Sequence, residues 1–575
     1  MKKIWDLRTA PDDQIVSELA SQLGIGELLT RLLVQRGIRN MEEAKRFFRP
    51  SLSDLHDPFE MMDMDIAVER LVQAWERKER ILVYGDYDVD GTTAVTMVVH
   101  FLRKLEIPCD FYIPDRYTEG YGFSFQGVDY AAMHDIRLII TLDCGIRDHK
   151  KIEYAGEKGI DVIVCDHHNP EGRPPAIAVL DPKRPDCNYP FKGLSGCGVG
   201  FKLLQAFCIR SGYDESILHD YLDLLTISIA ADIVPLTDEN RVLAYFGLQR
   251  IKDSKRPGIA AMLLQAGFKK EELTITDVVF ILAPRINAAG RIFSGKQAVE
   301  LLLTNSFEEA LQLSPALEEN NKTRKNLDKE ITEEAIAQAN SSPGFSEQFS
   351  IVVADSKWHK GVVGIVASRL VEAFYKPSIV LVTNGDKMSG SARSVDGVDL
   401  FDALGQCADL LEQFGGHTMA AGLTLKSSAL EGFRKKFDDV VRLMLNDTMP
   451  KPTISYDAEI SFESIDPRFY RILKQFAPFG PGNMNPVFLV RNVRNARYTR
   501  RVGETLSHLK IHVSQDHNPD LTLDGIAFNM GHWNDTLQEG NSVDLLFTIE
   551  ENEFRGNVTL QLNVKDIHET ESVIN

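Results

Sequence analysis

Residues 81–91 read ILVYGDYDVDG: an apolar run, then carboxylates at every second position, Asp86, Asp88 and Asp90, closed by Gly91. A run this short and this apolar predicts a buried strand, with the acids on a turn just beyond it. Three more runs end the same way, LIITLD (138–143), VIVCD (162–166) and IAVLD (177–181), and most are separated by helix-like segments. That is the pattern of a doubly wound parallel sheet. Ligands of such sheets sit beyond the carboxyl ends of the strands, so topology alone brings these aspartates to one crevice.

Asp143 ends the second run, in TLDCGI, and Asp166, His167 and His168 end the third, in CDHHNP. Taken alone, three acids in GDYDVDG read equally as a solvated acidic loop or a calcium loop. A carboxylate beside two imidazoles changes the balance, because calcium takes oxygen almost exclusively whereas Mn2+ suits a mixed donor set. Asp232, in SIAADIVPL, adds an acid in an apolar context where an unpaired charge is costly; the bland alternative is a helix cap. So many acids call for two divalent ions, Mn2+ or Mg2+, rather than one. Gly91 is expected to free the backbone for the turn that gathers Asp88 and Asp90.

Working outward, 575 residues predict about four packed units. Residues 1–75 read as a helical segment around the amphipathic IVSELASQLGIGELLTRLLVQRG, and 76–313 hold the parallel sheet followed by mostly helix. Ser314 reads as an N-cap with Pro315 at the first helical position. The charged helix it opens runs to about Ala339, roughly 37 Å, and its few apolar residues suit a rod between domains (314–340). A second α/β pattern fills 341–446, with FSIVVAD and SIVLVT around GVVGIVASRLVEAF. Beyond NDTMPKPT, alternating runs such as HLKIHV and VTLQLNV predict a small antiparallel barrel of the OB type over 454–575. The fold class is α/β: a doubly wound parallel-sheet domain and a second α/β domain joined by a long helix, plus a C-terminal OB-like β-barrel.

Composition narrows the function classes. No tract of about 20 apolar residues is present, which excludes a helical membrane span. Asp6, Arg8, Asp12 and Asp13 stand where a signal peptide needs an apolar stretch, and seven cysteines without a CxxC pair fit reduced thiols, so a cytoplasmic location is expected. The net charge of −19 would repel a polyanion if spread evenly. A nucleic-acid ligand must therefore be held by local basic patches or metal ions.

Several residues suit such patches. Arg285, in APRINAAGRI, has the guanidinium fork that matches phosphate oxygens, with a structural ion pair as the alternative. GGHTMAAG (415–422) sets His417 in a glycine turn whose amides suit a phosphate. The glycines of LSGCGVGF (194–201) are expected to serve close helix packing more than a phosphate cradle. RNVRNARYTRR (491–501) interleaves Arg491, Arg494 and Arg497 with a tyrosine and no acid, as backbone tracking and base stacking on an OB surface would require.

In this order, GDYDVDG, TLDCGI, DHH and AADIVPL resemble the four motifs of the DHH phosphoesterase superfamily. Within it the chain resembles the RecJ family of single-strand-specific 5′ exonucleases of bacterial DNA repair, through RYTEGYG (116–122), APRINAAGRI, WHKGVVGIVASRL (358–370), GSARS (390–394), GGHTMAAG and FAPFGPGNMNPVF (476–488). The resemblance implies that Asp143 bridges two ions, one also held by Asp88 and the other by Asp90, His167 and Asp232. Asp166 would then orient a ligating imidazole, and His168 would face the substrate. Tyr84 stands where the superfamily often has a histidine, so Asp86 is expected to assist the first ion. Arg116, Ser391 and Arg393 resemble residues that grip a terminal 5′ phosphate, and the DHHA1-type second domain is expected to bind substrate.

The implied activity is 5′-to-3′ hydrolysis of single-stranded DNA to 5′-mononucleotides, in repair and recombination, beside a helicase and a single-strand-binding protein. Two other readings stay open. A DHH phosphodiesterase of short RNA or cyclic dinucleotides would prefer very short oligonucleotides, and a non-catalytic DNA-binding scaffold would lack tight Mn2+ binding.

Overall fold

The computed structural model describes residues 2–570. The chain divides into two compact units, one built from 56–234 and 246–452, the other from 3–55, 235–245 and the stretch from 453 onward.

The first unit opens on a five-stranded sheet in the order Cys109–Tyr112, Ile81–Gly85, Leu138–Leu142, Asp161–Cys165, Ala178–Leu180, parallel throughout. Ile81–Gly85 and Leu138–Leu142 are buried at every position, which is why they read as unbroken apolar runs. The sequence reading missed the edge strand Cys109–Tyr112, whose residues are all half-buried and one of them acidic. The chain order reverses between Ile81–Gly85 and Leu138–Leu142. In an open parallel sheet that switch point is where ligands bind, and Asp86–Asp90 and Asp143 leave the sheet there.

Helix Val89–Lys104 follows, its first turn capped by Asp88, which accepts from Gly91 N at 3.0 Å. Gly91 serves close approach rather than a free turn: it sits inside the helix, where a Cβ would stand 2.4 Å from the Asp86 carbonyl oxygen.

The connecting helix spans Phe307–Asn340, 34 residues and roughly 51 Å, so Ser314 is not its N-cap. Ser306 caps it, accepting from Glu309 N, and Glu308 and Glu309 in the first turn favour the positive end of the helix dipole. Pro315 lies within the helix, which packs along its length against Pro257–Gln265 and Ala283–Ile292 among others. Nor is it a solvated rod. Its last turns put Ile331, Ala335 and Ala339 into a core with Val353, Trp358 and Val366. The domain beyond carries a sheet in the order Gln413–Gly416, Ala420–Lys426, Lys387–Arg393, Ser378–Asn384, Ile351–Asp355, of which only the last pair is parallel.

The second unit is a barrel. Strands Phe488–Asn495, Val543–Phe554, Asn557–Glu569, Asn518–Ala527 and His508–Gln515 pair in that order, and the last returns to the first through Val493↔Gln515. One pair, Asn518–Ala527 with Asn557–Glu569, is parallel, where an antiparallel barrel was expected.

The N-terminal 75 residues are not a helical segment of their own. Ile4–Leu7 is a strand paired with Thr453–Tyr456, and Leu29, Leu32, Leu33 and Phe47 share the barrel core with Phe476, Phe488 and Phe547, whereas helix Met64–Glu76 belongs to the first unit. Helices this short need a partner surface to be stable. Among the described residues no helix is long and apolar enough to cross a membrane.

Candidate metal centre and phosphate pocket

The strand-end acids converge at the switch point. Asp143 follows Leu138–Leu142 with φ 60°, a left-handed conformation that is strained for a residue with a Cβ. Its Oδ1 stands 3.1 Å from His167 Nε2, and the same nitrogen lies 3.5 Å from Asp232 Oδ2 and 3.7 Å from Asp90 Oδ2. Asp90 is held by Gly196 N at 2.7 Å, Cys197 N at 2.8 Å and Ser228 Oγ at 2.7 Å. The helix N-terminus of the glycine-rich segment thus binds a carboxylate of the chain itself. Gly196 is required there, since a Cβ would stand 2.6 Å from Asp143 Cβ.

This arrangement is costly without a cation. Burial, then Asp90 and Asp88, push the Asp143 carboxyl well above its ordinary range; burial and Asp88 raise Asp90 to about 6; burial, Asp90 and Asp88 raise Asp232 to about 8. Burial, then His168, hold His167 down to about 3, so its imidazole is a neutral ligand. Asp143 Oδ1 and His167 Nε2 are buried without a hydrogen-bond partner. Asp232 ends helix Leu222–Ala231, where a carboxylate opposes the helix dipole instead of capping an N-terminus. Orphaned oxygen and nitrogen donors around one point fit Mn2+, or Mg2+ through the oxygens.

Asp166 grips one imidazole by its ring. Its Oδ1 accepts from the His168 ring at 2.7 Å and only from the backbone N–H of His167, so the imidazole it orients is His168. Burial opposes the charge on Asp166, but the His168 hydrogen bond and charge outweigh it and hold the carboxyl near 2. Burial would lower His168, yet Asp166 raises it to about 9. His168 Nε2 meets the Tyr121 hydroxyl at 3.0 Å.

Asp88 and Asp86 stand outside both groups of converging ligand atoms, Asp90–His167–Asp232 and Asp143–His167–His168. Asp88 caps its helix. Asp86 is completely buried, and burial, then Asp88, push its carboxyl far up.

The second domain contributes a cationic pocket. Arg393 Nη1 donates to Ser391 Oγ at 3.0 Å and to the Ala392 carbonyl at 2.8 Å, and burial alone lowers its pKa, with no carboxylate acting on it. Both side chains press on the first turn of helix Val363–Phe374: a Cβ at Gly364 would stand 3.0 Å from Arg393 Nη2 and 3.2 Å from Ser391 Oγ. A half-buried guanidinium beside a hydroxyl and a helix N-terminus suits an anion. Arg116 lies over the Tyr87 ring at 5.1 Å. His417 is exposed, and burial, then the cations Arg147, His168 and Lys183, lower its pKa.

Comparison with known proteins identifies the domains. Family models match as "DHH family, N-terminal domain" over 80–229, "DHHA1 domain" over 347–443 and "RecJ OB domain" over 456–566. The single-stranded-DNA-specific exonuclease RecJ of Bacillus subtilis (strain 168) is 38% identical over 98% of this chain and 71% of its own, and that of Escherichia coli (strain K12) 35% identical over 99% of this chain and all of its own. The chain belongs to the RecJ family. The crystal structure of RecJ in complex with Mn2+ from Thermus thermophilus superposes with a TM-score of 0.84 at 28% identity, over 99% of this chain and 80% of that one.

Other residues fall differently from the sequence reading. Arg285 donates from Nε to Glu318 Oε2 at 2.6 Å and from Nη1 to the Ile281 carbonyl at 2.6 Å, the structural ion pair that was its alternative reading. Arg291, in the same RecJ-like motif, is a residue the sequence reading did not single out. It lies within the fields of Arg116 and of Asp88, and burial, then Arg116, lower it to about 10. In the RecJ OB domain, Arg491 pairs with Glu459 and Asp544 at 3.0 Å each, and Arg494 with Asp516 at 2.8 Å. Their acids arrive from neighbouring strands and, for Asp516, from the turn after His508–Gln515, all distant in sequence. Arg497 stays exposed beside Tyr498, which stacks on His512.

Proposed function

We propose that the chain is a metal-dependent exonuclease of single-stranded DNA that cuts from the 5′ end and releases 5′-mononucleotides. The observation that carries this reading is the convergence of Asp90, Asp143 and Asp232 on the buried His167 Nε2, all within 3.7 Å. The activity printed for the relatives, single-stranded-DNA-specific exonuclease, supports the substrate.

Two divalent ions, Mn2+ or Mg2+, would when bound acidify an attacking water and stabilise the leaving oxygen. Asp143 would be shared between them, with Asp90, His167 and Asp232 completing one set and Asp88 the other. His168, aligned by Asp166, would donate from Nε2 to a phosphate oxygen in place of the Tyr121 hydroxyl that it meets at 3.0 Å. Arg291 holds positive charge beside Asp88, where the scissile phosphate must come. Ser391, Arg393 and Arg116 provide charge-assisted donors for a terminal phosphate, which carries more charge than an internal diester. A grip on one chain end sets the direction of cutting, because only a diester held at the right place reacts. His417 supports the strand from the second domain, and the barrel adds Arg497.

Ends of duplex DNA must be opened first, so the protein would work with a helicase and a single-strand-binding protein in the cytoplasm, during repair and recombination. The test compares one oligonucleotide as a single strand and as a blunt duplex, with Mn2+ and with chelator. The single strand should be degraded only with metal, and the duplex poorly until heat or a helicase opens it. Equal rates on both would contradict the reading.

A further inference from the structure

We propose that Gly361, Tyr117 and Arg291 form a clasp that sets the distance between the metal cluster and the 5′-phosphate pocket, and thereby the length of the released product. The inference rests on reading Ser391 and Arg393 as that pocket. Three segments meet at the clasp. The Tyr117 hydroxyl donates to the Arg291 carbonyl oxygen, and Arg291 Nη1 donates to the Gly361 carbonyl at 3.1 Å. Gly361 N donates to His359 Nδ1 at 3.1 Å, and the His359 ring meets Tyr117 edge to face at 6.2 Å between centroids. No room is left: a Cβ on Gly361 would stand 2.6 Å from the Arg291 carbonyl oxygen and 2.8 Å from the Tyr117 hydroxyl.

Each side of the clasp ends on one of the two sites. Arg291 follows Gly290, where a Cβ would stand 2.3 Å from the Tyr87 carbonyl oxygen, so helix Ala283–Ile292 rests directly on the loop between Asp86 and Asp88. On the other side Gly361 leads within three residues to Gly364, against which Arg393 and Ser391 pack. Glycine stands at three of these contacts, Gly290, Gly361 and Gly364. At Gly290 and Gly361 the approach is to a backbone carbonyl oxygen, and close-packed contacts of this kind transmit displacement, while the Arg291, Tyr117 and Arg393 side chains complete the path. Asp88 and Arg393 thus stand at the two ends of one linked path, and a shift of about 1 Å at the reacting atoms is enough to change a rate by roughly a hundredfold.

The test uses the full chain in Mn2+. The rate on a 5′-phosphorylated single strand is divided by that on a 5′-hydroxyl strand, and the length of the first product is recorded, for wild type, Gly361→Ala, Tyr117→Phe and Arg393→Ala. Gly361→Ala should lower the ratio about tenfold and add dinucleotides to the products, with the 5′-hydroxyl rate falling less than the 5′-phosphate rate. Tyr117→Phe, which adds no volume, should move both readouts the same way to a lesser degree, and it decides the matter if Gly361→Ala does not fold. A full ratio with mononucleotides alone in both clasp variants, while Arg393→Ala loses the ratio, overturns the clasp and spares the pocket. Rates that fall together on both strands reduce the clasp to a structural contact and also overturn it. If Arg393→Ala keeps the ratio, the pocket reading fails and the clasp falls with it.

Discussion

Asp143 Oδ1 lies 3.1 Å from His167 Nε2, two buried atoms without a hydrogen-bond partner. His167 is neutral in this setting and Asp143 is crowded by further carboxylates, Asp90 and Asp88 foremost, so the pair has a reason to exist only around a cation. Asp143→Asn keeps the shape and removes the charge. It should lower turnover by a factor of about a thousand or more, as loss of electrostatic stabilisation at a reacting centre does, while single-strand binding persists. Adding Mn2+ at about a hundred times its Kd should raise the melting temperature of the wild type by roughly 5 °C and that of the variant much less, by scanning calorimetry. Wild-type turnover in Asp143→Asn would refute the assignment.

Gly196 gives an independent handle on the same cluster. It holds Asp90 through its N–H and leaves no space for a Cβ beside Asp143. Gly196→Ala should push the helix N-terminus off Asp143, weaken Mn2+ binding and cut turnover at least about a hundredfold, with little change in far-UV circular dichroism. Unchanged Mn2+ affinity by titration calorimetry would show that the cluster tolerates the shift.

Arg285 and Arg291 separate stability from chemistry. Arg285→Ala breaks its bonds to Glu318 and Ile281 and should destabilise by about 1–3 kcal/mol, with kcat/KM within a factor of roughly three. Arg291→Ala should lower kcat/KM about a hundredfold if it holds charge at the scissile phosphate. Steady-state rates and denaturant midpoints on the two variants check this, and the reverse pattern would restore Arg285 to the site.

That contrast shows how far the sequence could be read. Strand-then-aspartate runs are local signals, and each of Asp88, Asp90, Asp143 and Asp166 could be placed just past a strand from the sequence, whereas Asp232 read only as an acid in an apolar run and its place at a helix C-terminus came from the fold. Partners brought by the fold could not. Arg285 and Arg291 lie six residues apart on one helix, about 240° around its axis, so only one can face the crevice, and the motif does not say which. Ser314 and Pro315 imitate a helix start because proline is commonest there, whereas packing against two other helices carries this one through. The arginines at 491 and 494 looked unpaired because their acids lie between 22 and 53 residues away and arrive only when the barrel closes.

The barrel arginines therefore divide. Arg491→Ala and Arg494→Ala remove charges already neutralised within the barrel, and single-strand affinity should stay within about twofold. Arg497→Ala should weaken binding and reduce the slope of log affinity against log salt by about 0.7, as expected for one lost phosphate contact on a single strand. Fluorescence anisotropy at several salt concentrations measures both.

The direction of cutting tests the whole account most directly, since it requires the metal cluster and the phosphate pocket to act together. An oligonucleotide with a 5′ phosphate is labelled at its 5′ end in one sample and at its 3′ end in another, and both are digested briefly in Mn2+. The account predicts labelled mononucleotide at once from the 5′-labelled strand and a ladder of shortening fragments from the 3′-labelled one. Immediate release of the 3′ label, with the 5′ label retained on long fragments, would contradict it.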